Sequence, residues 1–158
     1  MPTITTFLGF DDRTEEAVNH YVSIFPRSKI VSVTRYGKDM PLPEGAVLTI
    51  EFDLDGQRFV ALNGGDHFGK FTDSVSLQIS CETQEEVDRY TDKLIEGGGE
   101  EGPCGWVKDR FGVSWQVTPV ILTQLISSPD KAKSGRALAA MMQMKRINIA
   151  ALKQAAGL

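Results

Sequence analysis

Apolar residues follow two different periods along this chain, and the changes between them mark the predicted elements. Alternation of apolar and polar residues predicts strands over 4–10, 29–36, 46–53, 58–62 and 75–81, and on both sides of a turn at 109–112. Apolar spacing of three and four residues, together with start signals, predicts helices over 13–25, 84–95, 130–145 and 148–156. A strand, a helix and then strands ending in a hairpin therefore occur twice.

The second half of the chain also repeats the first in its residues. Segments 14–21 and 83–90 share the pattern Thr-x-Glu-x-Val-x-x-Tyr, and the turns at 53–56 and 109–112 share Asp-x-x-Gly. Because the two matches occur in the same order, they predict an α+β protein of two βαβββ modules. We place the modules at 1–69 and 70–122, followed by a helical segment at 123–158, within one compact domain.

Both module helices begin with a predicted capping box. Asp12 with Glu15 precedes the first helix, and Thr83 with Glu86 precedes the second. The helical segment at the end of the chain is rich in methionine, which is typical of packing surfaces. It either packs on its own module or crosses to a second subunit.

Composition excludes several classes of function. The chain has 158 residues, of which 41% are apolar and 24% charged, and a net charge of −4 without a basic stripe, so we expect no nucleic-acid partner. It has neither an apolar run of membrane-spanning length nor a signal-peptide core, so we expect a cytoplasmic protein without a membrane partner. No phosphate loop or dinucleotide fingerprint is present, and we expect no cofactor.

The hairpin at 103–119 contains both tryptophans, Trp106 and Trp115. After its turn, the odd-numbered residues are apolar and the even-numbered ones polar, so they point to opposite faces of a strand. Gln116 lies midway along the polar face. It belongs either to a half-buried strand with a wet outer face or to the wall of an enclosed cavity, and the residues leave both readings open.

A second polar face lies on the strand predicted at 75–81. Ser74, Ser76, Gln78 and Ser80 alternate with apolar residues and share one side. Such a regular polar face either meets water or lines the concave side of a sheet. On the concave side it would suit hydrogen-bonded recognition of a small polar ligand.

Two side chains are candidate catalytic groups. His67, in the loop at 63–69, is a candidate general acid or base because histidine titrates near neutrality, and a solvated loop histidine is the alternative. Cys104, between Pro103 and Gly105, is a weak candidate nucleophile. An inert thiol is the alternative, since no base stands at fixed spacing from it.

Paired βαβββ modules resemble the vicinal oxygen chelate superfamily, which includes glyoxalases and bleomycin-resistance proteins. Segments 61–65, 104–117 and 140–149 look like its PhnB-like branch, often labelled demethylubiquinone methyltransferase-like. The resemblance implies two modules that form a curled mixed sheet, with C-terminal helices. It also implies a homodimer, because superfamily members pair modules within or between chains.

Metal-using members of the superfamily take ligands from the first and last strands of each module. Carried onto this chain, those positions fall near Thr5 and Ser74 and at Val60 and Gln116. None of these side chains is the carboxylate, imidazole or thiolate that holds a divalent ion. The resemblance therefore implies a cavity without a metal.

We expect a small-molecule-binding protein with a degenerate, metal-free cavity. The candidate ligand-binding residues are Thr5, Asn63, Ser74, Ser76, Gln78, Trp106, Trp115 and Gln116. One alternative is a metal-dependent or His67-dependent lyase, isomerase or dioxygenase, which would need either a metal held by other residues or acid–base work by His67. A second is the methyltransferase of the family label, although no glycine-rich loop follows a strand. A sequestering protein like the bleomycin-resistance members would need no catalytic residue.

Overall fold

Each predicted module folds as a four-stranded mixed sheet with a helix on one face. The computed structural model describes residues 1–158 and divides the chain into two units, Met1–Lys70 and Phe71–Leu158. They are called unit 1 and unit 2 below.

Unit 1 contains β1 (Thr6–Phe10), α1 (Thr14–Ile24), β2 (Lys29–Arg35), β3 (Val47–Leu54) and β4 (Gln57–Asn63). Its strands lie in the order β1-β4-β3-β2, with β1 and β4 parallel and the other pairs antiparallel. The apolar side of α1 packs on β3 and β4, which buries Tyr21, Ile50 and Phe52 completely. This packing leaves the opposite face of the sheet free of helices from its own unit.

Unit 2 repeats this topology. It contains β5 (Ser76–Cys81), α2 (Gln84–Ile95), β6 (Glu100–Glu101), β7 (Trp106–Lys108) and β8 (Ser114–Pro119). The strand order is β5-β8-β7-β6, again with the first and last strands parallel. The predicted βαβββ repeat is therefore confirmed.

One of the two predicted capping boxes is present. Thr83 accepts a hydrogen bond from the backbone N–H of Glu86 at 3.2 Å, as the pattern requires. The prediction for Asp12 is wrong, because the residue preceding α1 is Arg13 and no side chain caps that helix. Asp11 instead accepts from the backbone N–H of Arg13 at 3.0 Å and so closes the turn before the helix.

Three helices complete unit 2: α3 (Val120–Ile126), α4 (Lys131–Met141) and α5 (Ile149–Ala156). The first of them was not predicted, because it follows β8 directly and is only seven residues long. Their shared core consists of Leu122, Leu125, Ala137, Ile147, Leu152 and Ala156. The C-terminal segment therefore packs on its own unit.

A tight turn at 103–105 fastens this segment to the sheet. The backbone N–H groups of Cys104 and Gly105 donate to the carbonyls of Met144 and Lys145 at 2.8 and 2.7 Å. Gly105 has a φ of +82°, and a Cβ there would lie 2.8 Å from the Val117 carbonyl oxygen. Only glycine lets the backbone approach this closely, so Gly105 fixes where residues 144 and 145 lie.

Candidate functional site

The helix-free face of the unit 2 sheet, called the open face below, carries its polar side chains in rows. Register places Gln78 beside Gln116, and Gln116 beside Trp106. The next row contains Ser76, Ser114, Lys108 and Glu100. The predicted alternation on β5 and β8 therefore brings Ser76, Gln78, Gln116 and Trp106 together on one surface.

Gln116 is half-buried in the middle of this surface. Its Nε2 donates to the hydroxyl of Ser76 at 2.8 Å. Its Oε1 accepts no hydrogen bond from the protein, so it remains an available acceptor. The half-buried position of Gln116 agrees with the first interpretation, a half-buried strand, and the wall of an enclosed cavity stays a prediction.

A cavity of about 510 Å³ opens at the β6 edge of this sheet. Trp106 forms an aromatic wall, and the charged and polar lining side chains include Asp73, Glu100, Lys108, Ser114 and Lys145. The volume lies within the range of about 300 to 1,000 Å³ that small-molecule sites occupy. Among the predicted ligand-binding residues, only Trp106 lines it.

Asp73 holds one side of the cavity in place. The buried hydroxyl of Ser114 donates to its Oδ1 at 2.7 Å, and Lys108 Nζ lies 3.1 Å from the same oxygen. The Ser114 hydrogen bond and then the Lys108 ammonium hold the pKa of Asp73 below its usual range. Asp73 is therefore charged at neutral pH and neutralises Lys108.

The opposite side of the cavity depends on the C-terminal segment, which supplies Lys145. The next residue, Arg146, donates to Glu101 at 2.9 Å and to Asp92 at 2.6 Å, and it lies 3.4 Å from Asp88. Burial opposes the charge of this guanidinium, but its hydrogen bonds to Glu101 and Asp92 hold its pKa above the ordinary value. Arg146 thus clamps the segment that carries Lys145.

Trp115 has a different place from Trp106, because it points into the interior. It is only 3% exposed, and its indole N–H donates to Asp109 Oδ2 at 2.9 Å. The other carboxylate oxygen of Asp109 accepts from the backbone N–H groups of Phe111 and Val113 at 2.9 and 3.0 Å. This buried carboxylate organises the 109–113 loop, and Trp115 is closed off from the open face.

The remaining predicted ligand-binding residues do not line the cavity. Thr5 is exposed before β1, and Ser74 is exposed before β5, two residues upstream of the ladder with β8. Asn63 is buried at the end of β4, where its Nδ2 donates to the Val47 carbonyl at 3.0 Å. The hydroxyl of Tyr36 donates to the Asn63 carbonyl at 2.7 Å. Asn63 thus stabilises the end of the unit 1 sheet.

The two candidate reactive side chains lie apart from the cavity lining. His67 is exposed on a single helical turn, Gly65–His67, and its ring meets the edge of Phe68 at 5.6 Å between centroids. Cys104 is half-buried in the left-handed backbone region, with a φ of +58°. No histidine or carboxylate hydrogen-bonds its thiol.

The chain contains no group of three or more His, Cys, Asp or Glu side chains placed to hold a metal ion. At the superfamily's last-strand ligand positions, Val60 offers no donor, and Gln116 offers one neutral amide oxygen. Neutral oxygens are weak ligands for zinc, and other donors are needed to complete a site. The donor set of this chain does not fit the superfamily's metal centre.

The charged lining residues were missed by the sequence analysis. Ser114 and Lys108 could have been found, because they lie two residues from Gln116 and Trp106 on the same strand faces. Asp73 and Lys145 carry no such signal. They reach the cavity from a loop and from the C-terminal segment, both of which only the tertiary structure positions.

The family to which comparison with known families assigns the chain agrees with the observed topology. The family described as 3-demethylubiquinone-9 3-methyltransferase matches residues 2–118. The chain belongs to this PhnB-like family. Its two mixed sheets have the glyoxalase/bleomycin-resistance fold of the vicinal oxygen chelate superfamily. None of its helices is long and apolar enough to cross a membrane.

Solved structures agree with this assignment. A PhnB protein from Bacillus cereus, with the same methyltransferase description, is 39% identical, with a TM-score of 0.67 over 75% of this chain and 100% of its own. A Pseudomonas aeruginosa protein is 20% identical (TM-score 0.61; 75% and 98% covered). The fosfomycin resistance protein FosX from Mesorhizobium loti is 10% identical (TM-score 0.53; 80% and 98% covered). The last two show the fold alone. No functionally curated protein matches the chain.

Proposed function

We propose that this protein binds a small, flat, polar molecule in the unit 2 cavity without using a metal ion. The observation that carries the proposal is the cavity of about 510 Å³ with a tryptophan wall and polar side chains around it. A half-buried indole offers a large rigid surface for a flat ligand, and the surrounding polar groups orient it. The free Oε1 of Gln116 extends this polar surface across the open face.

The donor set supports binding without a metal. Where the superfamily places its ligands, this chain has Val60 and Gln116, and no cluster of metal-binding side chains replaces them. Among the two alternatives, acid–base catalysis by His67 finds no supporting contact, since that imidazole is exposed beside Phe68. The methyltransferase alternative is supported only by the description of the family.

The proposal is tested by screening neutral one-ring and two-ring aromatic fragments with ligand-observed NMR, on protein that has been stripped of metal with a chelator. We expect binding that Trp106→Ala lowers by about tenfold, because base-like or aromatic stacking contributes roughly 1 to 3 kcal/mol. Glu51→Ala is the matched control, since Glu51 occupies the register position of Trp106 in unit 1. It should leave binding unchanged.

Three outcomes would contradict the proposal. The first is that no fragment binds, and the second is that binding is unaffected by Trp106→Ala. The third is binding that disappears with the chelator and returns with one equivalent of a divalent metal, measured by elemental mass spectrometry. That result would revive the metalloenzyme reading.

A further inference from the structure

The charges on the cavity wall are not all neutralised by one another. The lining contains Asp73, Glu100, Glu101, Lys108 and Lys145. Three of these are paired: Asp73 with Lys108 at 3.1 Å, and Glu101 with Arg146, which does not line the cavity, at 2.9 Å. Glu100 and Lys145 form no ion pair. The wall therefore presents one free carboxylate and one free ammonium.

The backbones of these two residues are tied to positions that precede and follow Trp106 in the chain. The carbonyl of Lys145 accepts from the backbone N–H of Gly105, the residue before Trp106. Glu100 pairs across the sheet with Lys108, two residues after Trp106. Gly105 and Lys108 are three residues apart, so at about 3.3 Å per extended residue these two backbone positions are separated by at most roughly 10 Å.

We infer that the ligand of this cavity is a flat zwitterion, with its anionic group at Lys145 and its cationic group at Glu100. The inference rests on the proposed function and specifies the ligand class. A ligand with only a negative charge would pair with Lys145 but would be repelled by Glu100. A ligand with only a positive charge would pair with Glu100 but would be repelled by Lys145. A flat molecule with opposite charges at its two ends satisfies both while it stacks on Trp106.

The other charged groups of the cavity already have partners in the protein, so they do not pair with Glu100 or Lys145. Ser114 and Lys108 already hold Asp73, and Arg146 already holds Glu101 while it fixes the backbone that carries Lys145. A ligand therefore does not need to break an existing ion pair to bind. Both free side chains are exposed, so each contact with the ligand is worth at most about 1 kcal/mol, or roughly fivefold in affinity.

The probe is 4-(aminomethyl)benzoate, a flat ring with a carboxylate and an ammonium at opposite ends. Its matched analogues are 4-(aminomethyl)benzamide, which lacks the negative charge, and 4-methylbenzoate, which lacks the positive charge. Dissociation constants come from NMR titration at low salt, where exposed charges are least screened. We expect the zwitterion to bind about fivefold more tightly than either analogue.

Charge variants assign each end. Lys145→Gln should abolish the preference of the protein for the zwitterion over 4-(aminomethyl)benzamide and leave the preference over 4-methylbenzoate. Glu100→Gln should abolish the preference for the zwitterion over 4-methylbenzoate and leave the preference over 4-(aminomethyl)benzamide. The double exchange Lys145→Glu with Glu100→Lys should regain affinity that each single reversal loses, because the probe can bind in the reverse direction. Lys131→Glu, an exposed change on α4 away from the cavity, is the control.

Equal affinity for all three compounds would overturn the inference and leave the proposed function intact. So would failure of all three to bind while neutral fragments still bind in a Trp106-dependent way. If neutral fragments also fail to bind, the proposed function falls together with the inference.

Discussion

The two repeats share a backbone but differ in what they place on the open face of the sheet. In unit 1 the central position of the last strand is Val60, which lies between Phe7 and Glu51. In unit 2 the same position is Gln116, which lies between Gln78 and Trp106. The same topology thus presents two apolar side chains and a carboxylate in unit 1. In unit 2 it presents two amides and an indole.

Side chains of unit 1 interact with one another on its helix-free face, where Phe7 remains 58% exposed. Arg58 pairs there with Glu51 and, at 2.6 Å, with Asp53. The ring of Phe68 covers Gly9 so closely that a Cβ on Gly9 would lie 2.7 Å from it. The unit 2 face also carries an ion pair, Asp73 with Lys108, but it keeps charged groups without an ion-pair partner, such as the Glu100 carboxylate. The two units therefore share a fold but differ in the chemistry of their helix-free faces.

The largest expected difference between the repeats concerns their hairpin turns. Asp109→Asn should lower the free energy of unfolding by about 3 kcal/mol, because the new amide N–H₂ faces the indole N–H of Trp115 and leaves buried donors unpaired. Asp55→Asn, at the matching turn of unit 1, removes only an exposed pair with Arg27 and should cost less than about 1 kcal/mol. Urea unfolding measures both. Equal costs would show that the buried carboxylate has no special role.

The next largest difference concerns the arginine of each unit that pairs with several carboxylates. Arg146→Gln should cost about 2 kcal/mol, because it removes charged hydrogen bonds from a side chain that is only 28% exposed. Arg58→Gln, at a side chain that is 42% exposed, should cost less than about 1 kcal/mol. Amide exchange should accelerate at residues 144–149 in the first variant alone. Unchanged exchange there would contradict the role of Arg146 as a clamp.

A smaller effect is expected at the central positions of the two open faces. Gln116 does not line the cavity but lies beside Trp106 in register, so Gln116→Ala should weaken binding of fragments that stack on Trp106 by at most about fivefold, the value of one neutral hydrogen bond. It should change stability by less than about 1 kcal/mol. Val60→Ala in unit 1 should leave fragment affinity unchanged. A large loss of stability with unchanged affinity would instead identify Gln116 as a structural residue.

The smallest expected effect concerns Cys81, a buried thiol that has no counterpart in unit 1. Burial, and then the nearby Glu86 carboxylate, raise the pKa of Cys81 to about 12, against about 8.5 in an unfolded chain. The folded state therefore favours the neutral thiol. This contribution to stability is complete below pH about 8.5 and is lost as the pH rises toward 12. Alkylation at pH 9 followed by mass spectrometry should modify Cys81 only after unfolding, and modification in the folded protein would contradict its burial.

Much of the fold followed from the periodicity of the chain. The repeated Thr-x-Glu-x-Val-x-x-Tyr and Asp-x-x-Gly patterns predicted two βαβββ modules, and both sheets have the same strand order. The polar face of β5 and β8 followed from strict alternation, since alternate side chains point to opposite faces of a strand. Trp115 was harder to place, because alternation assigns its face but does not reveal the buried Asp109 that accepts its N–H.

The sequence alone determined the βαβββ repeat and the PhnB-like resemblance, while the replacement of the superfamily's metal ligands at Val60 and Gln116 stays a prediction. These depend on local periodicity and on residue types at fixed offsets from a turn glycine. Only the tertiary structure decided that Asp73, Ser114 and Lys108 form one network and that Lys145 reaches the cavity. The Asp73 contacts join residues that are distant in sequence, and Lys145 is positioned by the hydrogen bond from Gly105 to its carbonyl. No local pattern encodes either contact.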